Sequence, residues 1–393
     1  MFTHFRSMVH TLLLSGTVIA SVMAVIPGQA ILAGGGSSPL ILHIGMGTTG
    51  DLWSVSAPRV APVQMTNWRY NYSPVLSPDG DYVAFLSTPT AVVNDIAANG
   101  ARSGVTPANV WIMHTFYGYA VRVADQPTGA SYDKGGFIMR PTPAWSPDSK
   151  HLAWLELSGY DSGKPAYQLV AYDVSDIKAP KNMFAVKAPG YELPAAGLSG
   201  ETVSWSAAGI GYTVTGGTDP ATGQMMPSRF YLYDTLGALI MSEALADPSC
   251  GIYGWVTVDQ PRAVLCSFNN SQTNYVFLKP RDKTVMSLAD FGVLKLMQRG
   301  ELGVHHLTWV KNPTKQYTST PYGWQLDDHT DIILNDPVAI SPDGLLVVTV
   351  SSPNSYTVYN KSDLPYTATL NLTGNQRLDW VGWGPTELTS GKG

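Results

Sequence analysis

The chain has 393 residues, more than one ordinary core fills, so it is either several domains or one domain that grows by adding modules. Charged residues make up 13% of it, against roughly 25% in an average globular protein, and 38 glycines with 28 prolines suit a turn-rich β protein. The formal charge of −5 is spread without a basic stripe, which excludes the phosphate neutralisation that nucleic-acid binding needs.

Residues 1–30 read as an export signal: Arg6 near the start, an apolar run from Thr11 to Ile26, and small residues ahead of a cut after Ala30. The alternative is an uncleaved anchor, for which the run is short. Residues 31–38 are a Gly-rich linker, and 39–393 read as a single domain. No later run is long and apolar enough to span a bilayer, so no membrane span is expected once the signal is removed. The expected location is periplasmic or extracellular.

The phrase "SPDGDYVAFLS" from Ser77 returns as "SPDSKHLAWLE" from Ser146 and as "SPDGLLVVTVS" from Ser341. In each, Ser accepts backbone hydrogen bonds, Pro presets φ, Asp tolerates the third turn position and Gly closes the fourth, which writes a type I turn. A short apolar stretch precedes the turn and an alternating one follows it, so each phrase predicts a β-hairpin. Third and fourth strands are expected at Val110–Met113 with Ala120–Val123, at Tyr167–Asp173 with Met183–Val186, and at Phe230–Asp234 with Ala238–Met241. Degenerate hairpins are expected at Val203–Gly209 and Gly254–Val258. Four strands per module is the blade of a β-propeller.

The end of the chain bears on closure. Asp379–Pro385 has the pattern of an inner strand, whereas Leu40–Ile44, Asp51–Val55 and Ala61–Met65 are three strands that lack one. The expectation is an all-β, seven-bladed propeller closed by pairing of the N-terminal strands with this C-terminal inner strand. Six blades is the alternative, with residues 288–335 then forming a long insertion.

These residues resemble the TolB-type, WD40-like propeller repeat, an apolar pair followed by "WSPDG" and an alternating strand. "AWSPDSKHLAWLE" and "VLSPDGDYVAFLS" match it closely, "AISPDGLLVVTVS" well and "VSWSAAGIGYTVT" weakly. The resemblance covers most of the chain after residue 38, and it implies architecture far more than activity.

Region 288–335 fits the repeat worst. It holds His305, His306, His329 and Asp331, residue types suited to a transition metal, although adjacent His305 and His306 point to opposite faces of a strand. The other reading is a degenerate blade with "HHLTWVKN" as an inner strand and "HTDIIL" as an outer one. Tyr317, Tyr322 and Trp324 in the same region are candidates for a ligand-stacking surface. Cys250 and Cys266 form either a disulfide or a pair of buried thiols, with Cys266 expected opposite Trp255. No nucleophile elbow, zinc-protease helix, phosphate loop or Cys-x-x-Cys is present. No cofactor is therefore expected beyond that candidate metal. The function expected is a non-catalytic scaffold that binds a protein or glycan partner. The alternative is a metal-dependent polysaccharide hydrolase or lyase.

Overall fold

The computed structural model describes residues 40–46, 49–55, 63–100, 106–132, 134–159, 165–190, 203–206, 209–214, 217–218, 222–227 and 229–244, and beyond them the strands between 251 and 383. Residues 1–38 lie outside the described residues.

The strands follow the chain in antiparallel groups. The first three are β1 (Leu40–Met46), β2 (Thr49–Val55) and β3 (Val63–Gln64). Next come β4 (Asn71–Leu76), β5 (Tyr82–Ser87), the helix α1 (Thr90–Asn99), β6 (Asn109–His114) and β7 (Ala120–Ala124). The third group is β8 (Ala144–Trp145), β9 (His151–Ser158), β10 (Ala166–Asp173) and β11 (Lys181–Lys187). The fourth is β12 (Val203–Ser206) and β13 (Gly209–Val214), a small hairpin of β14 (Gly217–Thr218) and β15 (Met225–Met226), then β16 (Arg229–Tyr233) and β17 (Leu239–Ala244). The fifth is β18 (Gly251–Val258), β19 (Gln260–Phe268), β20 (Asn274–Lys279) and β21 (Asp282–Met286).

Then come β22 (Leu296–Gln298) with β23 (His306–Thr308), and a three-stranded sheet of β24 (Tyr317–Thr320), β25 (Gly323–Leu326) and β26 (His329–Leu334). The chain continues through β27 (Pro337–Ile340), β28 (Leu346–Ser352), β29 (Ser355–Asn360) and β30 (Thr367–Asn371), and the last described strand is β31 (Arg377–Trp383). Among the described residues there are six four-stranded antiparallel sheets, an arrangement consistent with a β-propeller. One of them has the order β3-β2-β1-β31, so the first and last strands are neighbours, from Leu40↔Trp383 to Gly45↔Arg377. The innermost strands also meet in succession: β31 meets β4, then β4 meets β8, β8 meets β12 and β12 meets β18. Farther on, β18 meets β23, β22 meets β27, and β27 meets β31.

The first four sheets stack face on face, and this changes one expectation. The strand after each turn phrase alternates with one buried face in the sequence reading, yet Val83 to Ser87 are buried throughout. Val83 and Phe85 pack with Ile41, Leu52 and Met65 of the first sheet, while Ala84 and Leu86 pack against Trp145, Leu152 and Trp154 of the third. In the third sheet, Leu152 and Trp154 face the second, and Ala153, Leu155 and Leu157 face Trp205, Ile210 and Tyr212 of the fourth. A sheet covered on both sides needs apolar residues at consecutive positions, which is why "VAFL" and "LAWL" are continuous. Each fully buried Leu or Phe contributes about 2 kcal/mol relative to exposure.

Polar anchors fix the crossovers between sheets. Asp51 accepts from the Thr66 hydroxyl (2.8 Å), the Asn71 amide (3.0 Å), the Gln64 amide (3.1 Å) and the Arg69 backbone N–H (3.1 Å), which holds the 64–71 link against β2. Arg140, nearly sealed from solvent, pairs with Glu156 at 2.7 Å and donates to the carbonyls of Ala108 (2.7 Å) and Asp125 (3.0 Å). It thus ties the link between the second and third sheets to both. The helix α1 and the β14–β15 hairpin, both insertions in connections between strands, have no counterpart in the sequence reading.

Candidate functional site

The repeated phrase builds one end of the sheets. At Ser77 the Gly80 N–H donates to the Ser77 carbonyl (2.8 Å), the Ser77 N–H donates to the Tyr82 carbonyl (2.8 Å), and the Ser77 Oγ accepts from the Tyr82 N–H (3.0 Å). Ser77 Oγ donates to Asp79 Oδ1 (2.6 Å), which also accepts from the Asp81 N–H (3.1 Å). The Ser146 turn repeats each contact: Ser149 N–H to the Ser146 carbonyl (3.0 Å), His151 N–H to Ser146 Oγ (2.9 Å), Ser146 Oγ to Asp148 Oδ1 (2.5 Å) and Lys150 N–H to Asp148 Oδ1 (3.1 Å). These bonds to Ser146 and Lys150 help to hold the Asp148 carboxyl below its usual range, against burial, which acts the other way and is the largest single influence. The third phrase shares the register, since Ile340↔Val347 and Ala339↔Val348 match Trp145↔Leu152 and Ala144↔Ala153. Asp79 and Asp148 are turn-forming residues, as the phrase predicts.

The turns are also joined across sheets. The fourth turn position requires a left-handed backbone, φ +77° at Gly80 and +60° at Ser149. Ser149 takes that conformation without being glycine, and its Oγ accepts from the Asp79 N–H of the preceding turn at 3.0 Å. Nearby, the Trp145 indole N–H donates to the Val75 carbonyl at 2.9 Å, and Tyr82 stacks on Trp145 with ring centroids 6.4 Å apart. One sheet further on, His151 stacks on Trp205 at 5.7 Å in the same relation.

Beside the first of these turns lies the strongest candidate site among the described residues, His114–Tyr119, "HTFYGY", the connection between β6 and β7. Thr115 fastens it to the Ser77 turn: its Oγ1 donates to the Gly80 carbonyl (2.8 Å) and its N–H to the Asp81 carbonyl (2.9 Å). The His114 Nδ1 accepts from the Phe116 N–H (3.1 Å), so the ring is neutral with its proton on Nε2. Burial pushes this imidazole down from 6.5 to about 4, against a smaller upward pull from Asp79. Around His114 stand Tyr117 at 4.6 Å, Tyr82 at 5.1 Å and Tyr119 at 5.4 Å between centroids, with Tyr117 and Tyr119 nearly parallel. Burial raises the Tyr82 and Tyr119 phenols above their usual range, and each is a neighbour of the other.

Tyr117 is 62% exposed although its loop is fixed at both ends. The other large apolar side chains as open as this, among the described residues, are aliphatic. A rigid, outward aromatic ring beside hydroxyls and carboxylates can stack on the apolar face of a sugar and hydrogen-bond its rim.

The residues singled out from the sequence lie elsewhere. His305 and Tyr322 fall outside the described residues. His306 opens β23, paired with Gln298, while His329 and Asp331 lie on β26 of a different sheet. Tyr317 pairs with Leu326 and Trp324 with Ser319 across β24 and β25. Cys250 lies outside the described residues, and Cys266 is opposite Ile252 rather than Trp255. The register differs because Val258 pairs with Gln260, and irregularities follow at Ile252/Gly254 and Trp255/Val256. The apolar pattern of 110–123 marks the two strands and not the turn between them, so it does not single out the 114–119 cluster. The signal that marks it is four aromatic rings of His, Phe and Tyr within six positions of a turn.

No family model and no curated protein matches the chain. Among solved structures it is similar to TolB from Acinetobacter baumannii, at 12% identity over 88% of this chain and 67% of that one, with a TM-score of 0.40. It is similar to the dihydro-heme d1 dehydrogenase NirN at 13% identity over 86% and 75% of the two chains, with a TM-score of 0.47. For oligogalacturonate lyase from Vibrio parahaemolyticus the values are 11%, 84%, 79% and 0.38. The sheets themselves, rather than these overlaps, carry the description of the fold. Among the described residues no helix is long and apolar enough to cross a membrane.

Proposed function

We propose that the chain is an exported seven-bladed β-propeller that serves as a non-catalytic platform and binds a glycan at the turn end of its sheets. Seven blades are supported by the six four-stranded sheets together with the strands from Leu296 to Leu334, whose β22–β23 pair lies between the inner strands β18 and β27. Export is supported by the pattern of residues 1–30. The observation that carries the binding role is the exposed Tyr117 ring on a turn fastened by Thr115 and His114. A ring already held in place loses little freedom when a ligand stacks on it.

The test is titration of the purified chain with a panel of oligosaccharides, alongside Tyr117→Ala. A sugar bound by the parent and at least tenfold more weakly by the variant is the expected result. Equal binding by both would remove Tyr117 from the function, and a bound protein partner insensitive to Tyr117 would replace the glycan with a protein ligand. Elemental analysis of the same preparation checks the competing hydrolase or lyase reading. A stoichiometric transition metal lost in a His305→Ala/His329→Ala variant would favour catalysis.

A further inference from the structure

The glycan reading above is the premise of this inference, which concerns the charge of the sugar. We infer that the Tyr117 site takes neutral saccharides and discriminates against uronic acids. The ring does not stand alone: the turn that anchors it is the acidic one, Ser77-Pro78-Asp79-Gly80-Asp81. The Asp81 carbonyl accepts from both the Thr115 N–H (2.9 Å) and the Thr115 hydroxyl (3.0 Å), so the loop cannot move away from that turn without breaking its anchor.

Asp79 is exposed, and its Oδ1 is engaged by the Ser77 hydroxyl and the Asp81 N–H, donors that carry no charge. Among the described residues no lysine or arginine forms an ion pair with it. Its field reaches the cluster, acting on both His114 and Tyr82. The neutral His114 adds no compensating positive charge. A ligand stacked on Tyr117 therefore meets hydroxyls and a fixed negative charge. Sugar hydroxyls can donate to such a carboxylate, whereas a uronate placed there is repelled in proportion to the reciprocal of its distance. Uronate recognition calls for the opposite chemistry, a guanidinium or ammonium opposite the sugar carboxylate.

The experiment compares neutral hexasaccharides (cello-, malto- and xylohexaose) with hexagalacturonate at low ionic strength, for the parent chain and for Asp79→Asn. Asparagine keeps an oxygen for the Ser77 and Asp81 donors and removes only the charge, so the turn is preserved. Binding of at least one neutral hexamer, with hexagalacturonate at least threefold weaker and the gap narrowing in Asp79→Asn or in 0.5 M salt (about a 4 Å screening length), is the expected result. Hexagalacturonate bound as well as or better than every neutral hexamer, with Tyr117→Ala still weakening it, would overturn the charge inference and leave the glycan site standing. Failure of every saccharide to bind would instead sink the glycan reading itself, and this inference with it. A gap that persists unchanged in both Asp79→Asn and high salt would show that discrimination arises from some source other than this carboxylate.

Discussion

Replacing Ser149 tests whether the second turn phrase departs from glycine for a reason. At φ +60° an L-residue carries a strain of about 1–2 kcal/mol relative to glycine, and the Ser149 Oγ bond to the Asp79 N–H returns about 1 kcal/mol. Ser149→Ala keeps the strain and loses the bond, so it should destabilise the chain by about 1 kcal/mol. Ser149→Gly loses the same bond and relieves the strain. Glycine's greater freedom in the unfolded chain costs about 0.5–1 kcal/mol, so the net change should lie between a loss of about 1 kcal/mol and a gain of about 0.5 kcal/mol, which leaves the glycine variant no less stable than the alanine one. Urea unfolding followed by tryptophan fluorescence reads this directly, because Trp145 sits at the same junction and donates to Val75. An alanine variant as stable as the parent, or a glycine variant less stable than the alanine one, would refute the account of the junction.

Three further predictions concern other parts of the molecule. His114 is held neutral in the folded chain, so the unfolded state takes up its proton first as pH falls. The stability from this group is full above about pH 6.5 and is lost towards pH 4, by about 2 kcal/mol once solvent screening is allowed for. Denaturation curves at pH 7 and pH 4.5 should show a smaller acid loss in His114→Gln than in the parent. Arg140→Met leaves Glu156 without its buried partner and should cost about 3 kcal/mol, visible as a lower urea midpoint. Gly237→Ala places a methyl 2.8 Å from the Phe184 ring at a φ of +85°, so it should lower the melting temperature, whereas Gly223→Ala, strained but in open space, should do so less.

Much of the fold was legible because its signals are local. A turn phrase that specifies Ser, Pro, Asp and Gly at fixed offsets leaves one backbone path, and the strands at 71–76, 82–87 and 151–158 follow from it. The pairing of β1 with β31 was also readable, since three strands at one end lacked the inner strand found at the other. Local pattern does not carry burial on both faces, which depends on the neighbouring sheet. It does not carry the α1 insertion either, whose first residue has no side-chain cap to announce it. The aromatic cluster was missed because an aromatic residue in a turn reads the same whether it packs inward, as Tyr82 and Tyr119 partly do, or outward, as Tyr117 does. Exposure is set by the Thr115 anchor, and that anchor reaches a turn 35 residues earlier in the chain.

The place of β31 beside β1 has a bearing on how the molecule is made. Leu40 and Trp383 must meet across nearly the whole chain, a closure that costs on the order of 5 kcal/mol in chain entropy before any contact compensates it. Synthesis delivers Arg377–Trp383 late, so β1 spends most of that time with one edge unpaired and open to wrong partners. Completion of the first sheet is therefore a late and slow event that competes with concentration-dependent mispairing of the β1 edge, while the hairpins of the Ser77 and Ser146 turns can form early from neighbouring residues.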